Sequence, residues 1–164
     1  MNDLPWLDIL SRIVHISTAI VLVGGSVFSL FVLTPSLSNL SDDARRSFAD
    51  GLTGRWKRFV HIGIVLFLAS GLYNYVQAIP SHKGDGLYHG LVGTKMLLAL
   101  VVFFLAAALV GRSQKLEGFR QQRVKWLRML VLLAAIIVCI SSFVKVRGPH
   151  SKTVISDRIG AENL

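Results

Sequence analysis

His15 and Lys95 are the side chains whose type and position best suit chemistry, because each lies inside a strongly apolar run. An ionisable group at membrane depth is costly, and it is retained there to bind a ligand, move protons or pair with a partner. Neutral imidazole ligates iron, copper or zinc. A buried amine can lose its proton and ligate as well, or stay charged and hold an anion. The plainer alternatives are a His15 that hydrogen-bonds a serine or threonine across a helix interface and a Lys95 whose ammonium snorkels to the membrane surface.

The elements that must position these two groups are helices. The chain has 164 residues, 52% hydrophobic and only 16% charged, and its mean hydropathy is +0.57. Soluble domains of this size are nearer a quarter charged, so the deficit points to lipid as the main solvent. Four apolar stretches account for it, at 7–33, 58–79, 90–111 and 126–145, followed by a polar tail at 146–164. Each is close to the roughly 20 residues that a spanning helix needs. The expected architecture is a single all-α membrane domain, a four-transmembrane-helix bundle running up-down-up-down. Asp3 and Asp8 stand where a signal peptide would carry basic residues, so the first stretch reads as a retained helix that Thr34-Pro35 should end. The single cysteine, Cys139, allows no intrachain disulfide, so redox chemistry would need a cofactor.

The net charge of +9 does not suggest nucleic acid, because the cations cluster between helices rather than along a groove-binding face. Arg45, Arg46, Arg55, Lys57 and Arg58 lie between the first two stretches, and Arg112, Lys115, Arg120, Arg123, Lys125 and Arg128 between the last two. The positive-inside rule places both basic connections in the cytoplasm and both termini on the outer side. The basic connections should attract anionic lipid headgroups. On this topology His15 lies roughly 12 Å and Lys95 roughly 6 to 10 Å below the outer surface, in one layer. His61 enters from the opposite side, as an interfacial group, and is the weaker cofactor ligand.

Polar and small residues mark the faces expected to meet. In the first helix these are Ser11, His15, Thr18, Leu22, Ser26 and Ser29; in the second, Gly63, Ser70, Asn74 and Gln77. The third aligns Lys95, Ala99, Val102 and Ala106, and the fourth Arg128, Ala135, Cys139 and Ser142, read as packing positions. Gly24-Gly25 should let a neighbouring helix or a flat cofactor approach closely. A copper or zinc site could be assembled from His82, His89 and His150 in the outer segments, with His15.

The run from Arg12 through His15 and Gly24-Gly25 to Phe31-Val-Leu-Thr-Pro35 resembles the first helix of the CopD-like and HemJ-like bacterial membrane families, as do Ser70-Gly71-Leu-Tyr and Gly93-Thr-Lys95-Met-Leu-Leu. The likeness covers about 12–112. It implies a helical bundle in the bacterial inner membrane. The HemJ-like branch, protoporphyrinogen oxidase-type, implies a haem-dependent membrane oxidoreductase with His15 and Lys95 as the functional pair, His15 ligating haem iron and Lys95 a candidate catalytic group. The CopD-like branch implies copper uptake or resistance. The leading expectation is therefore a b-type haem held by His15 and Lys95 with room made by Gly24 and Gly25. Quinone or a protein would accept the electrons. Copper transport and a non-catalytic structural subunit are the alternatives.

Overall fold

A computed structural model describes residues 5–111 and 114–147, and every element among them is helical. Four helices are long and apolar enough to cross a bilayer: α1 (Pro5–Leu37), α2 (Asp42–Ala78), α3 (Gly86–Val110) and α4 (Arg123–Arg147). A five-residue helix, Glu117–Gln121, lies in the connection before α4. The bundle contains two principal antiparallel pairs, α1 with α2 and α3 with α4, joined through α2 and α3.

Contacts near the ends fix the up-down-up-down course. Tyr73 near the end of α2 donates to Asp8 near the start of α1 at 2.8 Å, and Arg147 at the end of α4 reaches Asp85 before α3 at 3.2 Å. The α2–α3 connection, the Pro5 end of α1 and the Arg147 end of α4 thus share one end of the bundle, the terminal end. The other, basic end carries the apolar core, where Leu30, Leu105, Leu109, Leu127 and Leu130 pack together. Many of the other large apolar residues face outwards, with Ile20, Phe31, Val65, Leu97 and Leu132 about two-thirds exposed. Exposure on that scale suits hydrocarbon rather than water.

Two boundaries differ from those expected. α1 does not stop at Thr34-Pro35; it passes through a π-helical turn at Ser29–Leu33 and ends at Leu37. The Ser29 carbonyl accepts both the Thr34 amide and, at 2.7 Å, the Thr34 hydroxyl. Pro35 then starts the next turn, where its missing N–H costs least. α2 begins at Asp42, well before 58, and is 37 residues long. At about 55 Å it exceeds the roughly 30 Å hydrocarbon layer. Asp42 and Asp43 stabilise its positive N-terminal end, so most of the expected basic connection is helix.

Asp85 ties the terminal end together. Its side chain is only 7% exposed, its Arg147 partner 24%, and its Oδ1 also accepts the Tyr88 amide at 3.1 Å as the cap of α3. Asp85→Ala removes the cap and strands a partly buried guanidinium. The expected loss is about 1–3 kcal/mol, read as a lower unfolding midpoint in detergent.

Candidate functional site

The site lies on the seam between α1 and α2, and glycines set that seam. A Cβ on Gly63 would meet the Leu22 side chain at 2.9 Å, and one on Gly71 would meet His15 Cε1 at 3.0 Å. On Gly25 it would overlap the Trp56 indole, with Cζ2 at 2.7 Å, whereas Gly24 has nothing within 4 Å. The space that Gly25 leaves is thus filled by the protein's own Trp56. The expected inner face of α1 is largely realised: Thr18 and Ser26 are buried, and Ser11, His15, Leu22 and Ser29 are partly buried. Gly63 and Ser70 of α2 are buried and Asn74 is partly buried, but Gln77 is exposed. Gln77 sits in the last turn of α2, where it reaches the Tyr73 hydroxyl at 3.0 Å instead of the interior.

His15 Nδ1 lies 3.0 Å from Ser70 Oγ. The Ser70 hydroxyl gives its one proton to the Leu66 carbonyl at 2.6 Å, so its oxygen accepts from His15. The Phe67 carbonyl, which can only accept, also faces the imidazole. Nδ1 therefore carries the proton of the neutral ring, and the lone pair of Nε2 is available to a ligand. Phe67 packs against the imidazole with centroids 4.0 Å apart, and Phe103 of α3 meets Phe67 edge-on at 5.5 Å. With Gly71 behind it, the ring is held on three sides by α2. Ser11 adds a weaker tie across the seam, donating to the Ser70 carbonyl at 3.3 Å.

Lys95 is partly buried on α3. It makes no hydrogen bond or ion pair with the described residues. Lys95 lies about 14 Å along α3 from its start at Gly86. Ala99, Val102 and Ala106 continue the Lys95 face and are partly buried.

The other histidines stand apart. His61 is exposed at the α2 surface, where Nδ1 donates to the Lys57 carbonyl at 2.8 Å. His82 stacks on Tyr88 at 3.6 Å, with Nδ1 2.9 Å from the Ala78 carbonyl. His89 Nδ1 faces the Tyr75 hydroxyl at 3.5 Å. Among the described residues no group of three or more His, Cys, Asp or Glu side chains forms a metal-binding cluster. His150 lies outside them.

Arg128, Ala135, Cys139 and Ser142, expected at a packing interface, are all exposed. The buried residues of α4 are instead Leu127, Leu130 and Ala134. α4 is apolar on every side, so its small residues did not identify the packed face.

Ser70, offered by the sequence as a member of a polar stripe and of the Ser70-Gly71-Leu-Tyr motif, is the partner of His15 that the sequence did not reveal. His15 meets Ser70 and Leu22 meets Gly63, a register centred near residue 42 that the packing of α1 on α2 sets and the turn position alone does not give. A groove of about 220 Å³ between α1 and α2 is lined by Ser11, Val14, Ser70 and Tyr73 among others. It does not include His15. Ser70 separates the groove from the imidazole.

No family model, curated protein or solved structure matches the chain.

Proposed function

We propose that this is an integral membrane redox protein that holds a b-type haem, or a related tetrapyrrole, in the layer of His15 and Lys95. The supporting observation is the orientation of His15: its Nδ1–H donates to Ser70 Oγ, which leaves the Nε2 lone pair for a ligand. This is the arrangement that fixes the tautomer and ring plane of ligating histidines, with the outer partner raising their basicity. The donor set fits haem iron, with neutral imidazole on one helix and an amine without a protein partner on another.

When bound, haem supplies a one-electron couple at its iron. The protein's part is to orient and shield. Leu66 fixes Ser70, Ser70 fixes His15, and Phe67 and Gly71 fix the plane of the imidazole. Lys95 would offer either a neutral amine as a second ligand or an ammonium to hold a carboxylate of the ring. The surrounding apolar side chains exclude water and strengthen either interaction. Electron transfer or porphyrinogen oxidation is the activity, with quinone or a protein as the acceptor. The charge distribution supports a bacterial inner membrane location, with the basic end in the cytoplasmic leaflet against anionic headgroups and the terminal end outside.

An absorption spectrum tests the reading. Protein purified from haem-replete cells should show a Soret band and, on reduction, an α-band of the b type. A colourless preparation sinks the proposal, and near-stoichiometric copper in it supports the copper-handling alternative.

A further inference from the structure

The buried stripe of α4 runs through Leu127, Leu130 and Ala134. Counted back by one turn, the same stripe begins at Arg123. This arginine is partly buried and has no hydrogen-bond or ion-pair partner among the described residues. A guanidinium carries five donors and stays charged in proteins, so a core-facing one ordinarily has an anion beside it. The sequence around it supplies little: Glu117 is the single acid between Arg112 and Arg128, and it is exposed. Arg120 donates to the Gly111 carbonyl at 3.1 Å, capping the end of α3, and Lys125 and Arg128 are exposed cations.

Arg123 also lies at the level where a headgroup phosphate would sit. One turn below it, Trp126 stacks on Phe119 at 4.4 Å and packs against the leucine core. Trp56 of α2 likewise stands next to Arg55, Lys57 and Arg58 in the sequence. Tryptophans with cations just beyond them mark a membrane–water boundary.

We propose that Arg123 anchors a specific site for the phosphate of an anionic glycerophospholipid at the basic end. This rests on the placement of that end at a headgroup layer. The guanidinium would grip two phosphate oxygens as a fork, while Lys125 and Arg128 concentrate anionic lipid without being needed for the grip.

The test uses the full chain reconstituted in phosphatidylcholine alone and in an equal mixture with phosphatidylglycerol. Lipid retained through delipidation is read by native mass spectrometry, and the unfolding midpoint is measured in parallel. Wild type should retain phosphatidylglycerol selectively and melt higher in the mixture. Arg123→Gln should weaken retention about tenfold, Arg123→Lys should keep part of it, and Arg128→Gln should keep all of it. Should Arg123→Gln fail to fold, the contrast between Arg123→Lys and Arg128→Gln decides. Selective retention that survives Arg123→Gln, or that falls equally in Arg128→Gln, overturns the site while leaving the headgroup placement standing. No selectivity in wild type overturns both. Inorganic phosphate added to the phosphatidylcholine sample should leave the midpoint unchanged. Stabilisation equal to that by phosphatidylglycerol assigns the site to free phosphate and overturns the lipid as its source.

Discussion

His15→Ala protein is expected to purify without the Soret band that wild type carries. The substitution removes the imidazole that Ser70 orients on the seam between α1 and α2, and His61, exposed on the α2 surface, offers no replacement. The same change empties the space against Phe67 and takes the donor from Ser70, so about 1–3 kcal/mol of stability should go as well. Ser70→Ala separates the two effects. It leaves His15 in place but unoriented, and loss of such an outer partner typically weakens binding by about 10- to 100-fold. The band should therefore persist in Ser70→Ala at high haem supply and wash out on dilution. Equal bands in wild type and His15→Ala would remove His15 from the site. Lys95→Met then assigns the lysine: a displaced Soret maximum identifies the amine as a ligand, and an unchanged maximum with weaker retention places it on a ring carboxylate.

Gly25→Ala and Gly24→Ala, one residue apart, are expected to differ sharply. The added methyl at Gly25 overlaps the Trp56 indole, a rigid ring set between α1 and α2 near the basic end. Trp56 must swing out or the helices must part, and overpacking of this kind costs about 1–3 kcal/mol. At Gly24 the methyl points into open space, and the better helix propensity of alanine makes a neutral or slightly favourable change the expectation. Unfolding midpoints in detergent check both. A Gly25→Ala protein as stable as wild type would mean that the seam closes differently. Because the effect acts through Trp56, trimming that ring with Trp56→Leu should restore part of the loss in Gly25→Ala.

These two experiments probe features of different legibility. The four spanning stretches, their alternating course and the realised part of the polar stripe on α1 could be read directly, because apolar run length and helical period are local properties. The ends of the helices were harder. Pro35 is an ordinary stop signal, and only the widened turn at Ser29–Leu33 shows how the chain absorbs it. The basic segment ahead of 58 reads as a loop by charge, yet it continues α2 as helix that projects past the core-forming leucines. On α4 the small and polar residues suggested a packed face that is in fact exposed. A helix apolar all round carries no moment to orient it, so larger leucines took the interior.

By itself, then, the sequence determined the all-helical class of the protein and the number of helices long and apolar enough to span a membrane. Both follow from the cost of placing charge and unpaired backbone in hydrocarbon, which depends on run length and composition alone. The tertiary structure decided which groups meet. It paired His15 with Ser70 and so freed Nε2, filled the Gly25 notch with Trp56 and turned Arg123 onto the core stripe. These depend on the rotation of each helix and the register of the α1–α2 hairpin. Close packing between distant segments sets both, and no local pattern encodes them.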